Sequence, residues 1–191
     1  MKNMVRRMLV VGLLLSSCVA HESIARSEYK KKTKDSADVR LLKAAELGDV
    51  KAMRKALKAG ASLEARKAKE DNRTALMLAA LKKHHEAVDF LIEQGADVNA
   101  VDAYGCSALV KAGYIGDAYI VDALLKADAC VACVNKYGET ALMNAAEYGH
   151  VAAVKRLLKA GANPAAKTDK GKTALDLAKD PAIITLLQKS N

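Results

Sequence analysis

Apolar and polar positions form short helical patterns that recur every 33 residues along most of the chain. In one unit, Val151, Val154 and Leu157 have the spacing of the buried stripe of an α-helix. A Thr or Ser begins the apolar segment before this stripe, where its hydroxyl can accept a hydrogen bond from a free backbone N–H and cap a helix. Gly149 separates the two apolar segments, and Gly161 supplies a left-handed residue that ends the second one. Each unit therefore predicts two short helices joined by a tight turn.

Three separate landmarks share this period, which identifies the units as internal repeats. They are a Thr-Ala-Leu or Ser-Ala-Leu triplet, an aliphatic pair in the second predicted helix, and a turn that ends that helix. A single unit of this size cannot bury its apolar face alone, so the core is predicted to lie between neighbouring units. The triplets begin at Thr74, Ser107, Thr140 and Thr173, the aliphatic pairs at Leu91, Leu124 and Leu157, and the turns at Gly95, Asp128 and Gly161.

Together these residues resemble ankyrin repeats, in which two helices and a projecting hairpin loop form each unit. The resemblance extends from about Ala37 to the C-terminus. It implies an all-α fold, an ankyrin-repeat solenoid of about five helix-turn-helix repeats with hairpin loops. The repeats are predicted at about 37–68, 69–101, 102–134, 135–167 and 168–191, and Pro181 shortens the last one.

Several positions depart from the family pattern. Thr-Ala-Leu-Met replaces the family's Thr-Pro-Leu-His motif at Thr74 and Thr140, which removes the hydrogen bonds of the His and predicts modest stability. Lys83 occupies the Gly position of the turn between two helices, and Asp128 occupies the Gly position that ends a second helix. A left-handed backbone at these two residues would carry some strain. The segment 60–72 has two more residues than its counterparts, which predicts a longer first loop.

The N-terminus has the layout of an export signal, and we predict a signal peptide at 1–20. Basic residues precede an apolar run at 8–15, which is too short for a membrane span of about 20 residues. Residues 15–18, Leu-Ser-Ser-Cys, resemble the lipobox of bacterial lipoproteins, in which the Cys thiol takes a diacylglycerol and becomes the first mature residue. This resemblance implies a lipid anchor at Cys18, and ordinary cleavage after Ala20 is the alternative.

Residues 21–36 are predicted to form a charged, flexible tether, because they contain too few apolar side chains to fold alone. By the same lipoprotein resemblance, Val19 after the Cys implies sorting to the outer membrane. The expected location is therefore the bacterial cell envelope, in the periplasm and lipid-anchored to the outer membrane.

Composition and charge narrow the classes of partner. Apolar residues make up 51% of the 191 residues but aromatic residues only 4%, so the core must be built from aliphatic and Ala side chains. The formal net charge is +9, yet residues 1–43 alone account for a surplus of six positive charges. A nucleic-acid-binding domain would carry its basic residues on the folded surface, so this class of partner is disfavoured.

The sequence has none of the usual constellations of catalytic residues. His84 and His150 occupy equivalent positions at the start of second helices, where ankyrin repeats commonly have His, so we interpret both as structural residues. His21 lies in the tether. These observations predict a non-enzymatic protein without a cofactor or a metal site.

Cys130 and Cys133 form the most specific chemical signal, a CxxC sequence in the loop between the third and fourth repeats. In an oxidising envelope this pair can close a small disulfide. Unpaired small residues and a redox or metal site are the alternatives. Zinc would need four ligands, and only Cys106 is a plausible third. Redox exchange is disfavoured because the pair follows a helix C-terminus, whereas reactive thiolates usually lie at helix N-termini.

The ankyrin resemblance also implies a binding surface made of hairpin tips and exposed residues of the first helices. Four of the six Tyr residues of the chain fall in this set, and Tyr is enriched at interface hot spots. Local packing is the alternative role for the two Tyr residues that precede a hairpin Gly. The predicted partner-binding residues are Glu70, Asp71, Arg73, Lys82, Tyr104, Cys106, Tyr114, Ile115, Lys136, Tyr137, Glu139, Glu147 and Tyr148.

These interpretations lead to one main hypothesis: a non-enzymatic protein-binding module in the bacterial envelope that sequesters, inhibits or positions a protein partner. An immunity protein that neutralises a secreted toxin is one concrete form of it. The expected partners are another protein and, through a lipid anchor at Cys18, a membrane, but not nucleic acid, and the free protein is expected to be a monomer. The alternatives are a CxxC redox or metal-handling envelope protein and a cytoplasmic ankyrin scaffold.

Overall fold

The computed structural model describes residues 36–67 and 71–190, and this part of the chain folds into ten α-helices arranged as five consecutive pairs. The predicted signal peptide, the lipobox-like residues 15–18 and nearly all of the predicted tether lie outside the described residues. The helices are α1 (Ala37–Leu47), α2 (Val50–Lys58), α3 (Ala75–Leu81), α4 (His85–Glu93), α5 (Ala108–Ile115), α6 (Ala118–Lys126), α7 (Ala141–Glu147), α8 (Val151–Lys159), α9 (Ala174–Leu177) and α10 (Pro181–Gln188).

The helices form two layers. The first helices of successive repeats, α1, α3, α5, α7 and α9, pack on one another in one layer, and the second helices form the other. Each repeat touches mainly its neighbours, so the molecule is a linear stack. The all-helical architecture predicted from the 33-residue period is therefore present in the described part of the chain.

Side-chain caps determine where the first helices begin. Thr74 and Thr140 accept hydrogen bonds from the backbone N–H groups of Met77 and Met143, three residues further on. This satisfies one of the N–H groups that every helix start leaves without an intrahelical partner. The Thr/Ser-Ala-Leu triplet of the sequence thus marks the start of a helix in each of these repeats.

The core is built mainly from aliphatic, Met and Ala side chains, as the composition predicted, and it also contains Phe90, the one Phe of the chain. Ala79 and Ala145 are fully buried in the first-helix layer, where their small side chains allow neighbouring helices to approach closely. The Met residues that replace the family's His, Met77 and Met143, are only 1% exposed. The lost hydrogen bonds are therefore replaced by apolar burial.

His84 and His150 connect each second helix to the preceding repeat. His84 Nε2 donates to the carbonyl oxygen of Glu46 at 3.1 Å, and His150 Nε2 donates to that of Tyr114 at 2.9 Å. The His150 ring packs against Gly116, which has a left-handed φ of +74° and where an added Cβ would lie 2.1 Å from the ring Cγ. Both His residues thus have structural contacts, in agreement with the sequence interpretation.

The two predicted departures from Gly keep the left-handed backbone. Lys83 and Asp128 both have a φ of 59°. In the next repeat, the residue equivalent to His84 and His150 is Asp117, so the imidazole is missing where the preceding turn has a side chain instead of Gly. At this boundary both members of the Gly–His contact are therefore replaced: Lys83 stands in place of the Gly, and Asp117 stands in place of the His.

Each hairpin closes with a backbone hydrogen bond between its two arms. In the third repeat the Asp102 N–H donates to the Cys106 carbonyl at 3.1 Å, and in the second repeat the Lys67 N–H donates to the Arg73 carbonyl at 2.9 Å. Six positions separate the closing residues of the second repeat's hairpin and four separate those of the third, which agrees with the two additional residues counted in the sequence of the first loop. Within the described residues, none of the helices has the length and apolar character needed to cross a membrane.

Candidate protein-binding surface

The hairpin tips are joined into one continuous edge by backbone hydrogen bonds between neighbouring repeats. The N–H of Ala103 donates to the carbonyl of Asp71 at 2.7 Å, that of Lys136 to Tyr104 at 2.9 Å, and that of Asp169 to Tyr137 at 3.1 Å. The tips are therefore not independent loops. The predicted residues Asp71, Tyr104, Lys136 and Tyr137 all belong to this edge.

Four exposed Tyr side chains form what we call the tyrosine ridge: Tyr104, Tyr114, Tyr137 and Tyr148. They are 45–55% exposed, although Tyr side chains carry a large apolar ring. Tyr104 and Tyr137 lie on the tips, and Tyr114 and Tyr148 lie at the C-terminal ends of α5 and α7. The rings of Tyr114 and Tyr148 meet edge to face with centroids 4.5 Å apart and an interplanar angle of 68°.

Two carboxylates lie close to the ridge. Partial burial, the neighbouring Tyr114 hydroxyl and the negative charges of Glu147 and Glu139 raise the pKa of Tyr148. Glu139 also accepts a hydrogen bond from Asn135 Nδ2 at 2.7 Å, which holds its carboxylate in place. The ridge therefore combines exposed aromatic area with negative charge.

A cleft of about 390 Å³ lies between α7 and the last hairpin. Tyr137, Glu139 and Glu147 line one side, and Lys170 and Lys172 of the fifth repeat line the other. The three fourth-repeat residues are among those predicted from the sequence, whereas Lys170 and Lys172 are not. The period would have identified them, because adding 33 to 137 and 139 gives 170 and 172.

The predicted residues of the second repeat are less available for contacts. Asp71 and Arg73 form an ion pair at 2.6 Å within their own hairpin. Lys82, at the end of α3, is exposed, and its charge helps to lower the pKa of Glu46, although the main cause there is the hydrogen bond from Lys67. Glu70 lies outside the described residues.

Cys106 is half-buried beneath the tips, and its neighbourhood contains a buried ion pair that the sequence analysis did not identify. Lys111 Nζ lies 2.5 Å from Asp102 Oδ2, with the Asp102 side chain fully buried. The other carboxylate oxygen, Asp102 Oδ1, accepts hydrogen bonds from the backbone N–H groups of Tyr104 and Cys106, both at 2.9 Å. Desolvation raises the pKa of the Cys106 thiol despite the nearby Lys111 charge. Cys106 and the half-buried Ile115 thus offer less contact surface than the Tyr residues.

A disulfide joins Cys130 to Cys133 in the loop that follows α6. The Cys130 N–H donates to Asn99 Oδ1 of the preceding repeat at 2.7 Å, so this loop is also tied to its neighbour. Among residues 36–67 and 71–190, no group of three His, Cys, Asp or Glu side chains is placed to hold a metal ion. The candidate lipidation site, Cys18, lies outside the described residues.

A second polar cluster lies on the second-helix layer, away from the ridge. The His85 ring stacks on Tyr119 with centroids 4.4 Å apart, and His85 Nε2 lies 2.8 Å from Asp117 Oδ2. The Tyr119 hydroxyl donates to Asp89, and this bond is the main cause that raises the pKa of Tyr119. The fifth exposed Tyr of the described residues therefore has side-chain partners within its own layer.

Comparison with known proteins agrees with this architecture. A family model described as ankyrin repeats (3 copies) matches residues 41–135, and another described as ankyrin repeats (many copies) matches residues 124–178. The two matches together span residues 41–178, most of the chain. No curated protein matches the sequence significantly.

Proposed function

From the premise that the chain belongs to the ankyrin-repeat family, we propose that it binds one protein partner through the tyrosine ridge. Members of this family are protein–protein interaction modules and generally non-enzymatic scaffolds. We place this binding in the bacterial envelope. The ridge lies on the third and fourth repeats, and the cleft beside it is formed by the fourth and fifth repeats. The bound partner is sequestered, inhibited or positioned rather than chemically changed.

One observation carries the choice of surface. Tyr114 and Tyr148 are each about half exposed, at 49% and 50%, yet they are held against each other in a fixed edge-to-face arrangement. Preorganised aromatic side chains lose little conformational entropy when a partner covers them. Interface hot spots are rich in Tyr for this reason and because the ring supplies contact area together with a polar tip.

The envelope location rests on the sequence of the first 20 residues and on the cysteine pair. Disulfides persist in oxidising compartments such as the periplasm, so the Cys130–Cys133 bond supports export. We propose that the mature protein begins at Cys18 and is held at the outer membrane by lipid on that residue. Inhibition of a secreted toxin is one form of this function, and a toxin partner would have to reach the same compartment.

The mass of the mature N-terminus tests the location. A chain that begins at Cys18 and carries diacylglycerol supports the proposal. A chain that retains residues 1–17 on protein recovered from cells overturns the envelope location. Cleavage after Ala20 overturns the lipid anchor but leaves export intact.

Two matched variants test the binding surface. A partner is first captured by the wild-type protein from envelope extracts, identified, and purified. Replacing Tyr114 and Tyr148 by Ala is expected to weaken its binding by about 30-fold or more, since hot-spot truncations cost about 2 kcal/mol or more. Tyr119→Ala is the control, because Tyr119 is equally exposed at 48% but lies on the second-helix layer. Equal affinity of the wild-type protein and the Tyr114→Ala/Tyr148→Ala variant would exclude the ridge as the binding surface.

A further inference from the structure

The net positive charge of this protein is confined to the N-terminal end of the chain. Residues 71–190 contain 14 Lys and Arg and 14 Asp and Glu, so their formal net charge is zero. Residues 36–67, the first repeat and the arm that leads to the next one, contain eight basic and four acidic residues. The remaining surplus belongs to residues 1–35. The folded domain is therefore neutral along most of its length and basic at its N-terminal end.

The basic side chains at this end are exposed. Arg40, Lys43, Lys51, Lys55 and Lys58 have no ion-pair partner among the described residues. Unpaired charges of one sign at one end of a molecule produce a field that attracts anionic surfaces.

The same end contains an open apolar groove. In the second repeat the corresponding side of the helix pair packs against the first repeat, since His84 lies against Gly48 and Phe90 lies under Arg54, but the first repeat has no described neighbour there. The groove has a volume of about 270 Å³ and lies between α1 and α2, with Ala44, Ala52 and Leu47 among its lining residues. Leu47 is 65% exposed. Three basic residues, Arg40, Lys43 and Lys55, border the groove together with one acidic residue, Asp49.

We propose that this N-terminal end of the repeat stack, defined by Arg40, Lys43, Leu47, Lys51, Lys55 and Lys58, rests on an anionic phospholipid membrane. Basic side chains around an exposed Leu match a membrane surface, where cations meet anionic head groups and an apolar side chain enters the interface.

Charge continuity argues for lipid as the occupant. The chain enters α1 directly from residues 21–35, which carry Arg26, Lys30, Lys31, Lys32 and Lys34. The same positive charge disfavours this segment as the occupant of the groove, whereas an anionic bilayer would attract the segment and the basic end together.

This orientation has a consequence for the proposed binding function. The tyrosine ridge belongs to the third and fourth repeats, and the basic end belongs to the first. A stack that rests on its N-terminal end presents the ridge to the space beside the membrane, where a protein partner can reach it. The inference is compatible with the proposed lipid anchor, but its test does not need one.

Vesicle binding by the unacylated full chain tests the proposal. The probes are vesicles of phosphatidylethanolamine with phosphatidylglycerol and, for comparison, vesicles of phosphatidylcholine alone. The variant Lys43→Gln/Lys55→Gln removes two charges at the groove, and Lys155→Gln/Lys159→Gln removes two exposed charges from α8 in the fourth repeat, away from the groove. Each Lys near an anionic surface strengthens the binding to that surface, so the loss of two Lys charges is expected to weaken vesicle binding about 30-fold.

Further measurements separate the alternatives. Leu47→Ser is expected to weaken binding several-fold without changing the charge, and circular dichroism confirms that each variant is folded. Binding to the anionic vesicles should also fall as salt is added, because salt screens the attraction.

Several outcomes would overturn the proposal. Equal binding to both kinds of vesicle would mean that the apolar N-terminal segment inserts without regard to charge. Equal weakening by both charge variants would mean that no particular end is used. Absence of binding, or capture of an acidic protein that occupies the groove in place of lipid, would also contradict it. None of these results bears on the tyrosine ridge, so the two proposals fail separately.

Discussion

The contact between Gly116 and the His150 ring predicts that Gly116→Ala destabilises the fold by more than the usual cost of replacing a left-handed Gly. Gly116 has a φ of +74°, and an Ala in this region costs about 1–2 kcal/mol. The new Cβ would also lie 2.1 Å from Cγ and 2.2 Å from Nδ1 of His150, so the ring must move. Its hydrogen bond to the Tyr114 carbonyl, worth about 1 kcal/mol, is lost or weakened.

The total expected cost of Gly116→Ala is therefore about 2–6 kcal/mol in the free energy of unfolding, once the strain of overpacking is included. Urea denaturation followed by circular dichroism measures it. Gly149→Ala is the matched control, because Gly149 has a φ of +78° but no atom within 4 Å of its added Cβ. This control should show only the backbone cost of about 1–2 kcal/mol.

A double-mutant cycle isolates the contact itself. In a His150→Ala background, Gly116→Ala should cost about as much as Gly149→Ala does, roughly 1–2 kcal/mol. If Gly116→Ala and Gly149→Ala destabilise the wild-type protein equally, the His–Gly contact contributes nothing beyond backbone conformation. The reasoning would then be wrong.

Three further predictions follow from local geometry. Gly113→Ala should lower the free energy of unfolding measured by urea titration, because the new Cβ would lie 2.4 Å from the Ala141 carbonyl oxygen. Helix propensity alone would favour Ala by about 1 kcal/mol, so a stabilised variant would contradict the close packing of α5 on α7. Burial raises the pKa of Asp117, but hydrogen bonds from the His85 imidazole and two backbone N–H groups outweigh burial and lower that pKa. The loss of stability caused by Asp117→Asn at neutral pH should therefore become smaller below about pH 4, where the carboxylate is protonated. A loss of stability that does not change with pH would contradict this. Titration of the denatured, unreduced protein should detect two thiols fewer than titration of the reduced protein, because Cys130 and Cys133 are joined in a disulfide. Equal thiol counts would exclude this disulfide.

Much of the local structure could be predicted from the period of the sequence. The Thr-Ala-Leu triplets mark helix starts because the hydroxyl cap is a contact between residues three positions apart. Left-handed backbone at Lys83 and Asp128 could be predicted despite their side chains. Their place in the repeat dictates the turn, and the repeat can tolerate an occasional strained residue.

Contacts between side chains of different elements were harder to predict. Asp102 and Lys111 are nine positions apart, and no periodic signal pairs an acidic hairpin residue with a Lys on the following helix. Tyr114 and Tyr148 are 34 residues apart, so they occupy adjacent rather than equivalent repeat positions. Their rings meet because of the way α5 and α7 are stacked.

The sequence by itself determined the repeat, the helix starts, the turns and the aliphatic composition of the core, because each of these depends on residues close together in the chain. Only the tertiary structure decided which exposed side chains lie together, since that depends on the offset and rotation between stacked repeats. The Tyr114–Tyr148 pair, the cleft completed by Lys170 and Lys172, and the open basic groove at the first repeat all arise from that stacking.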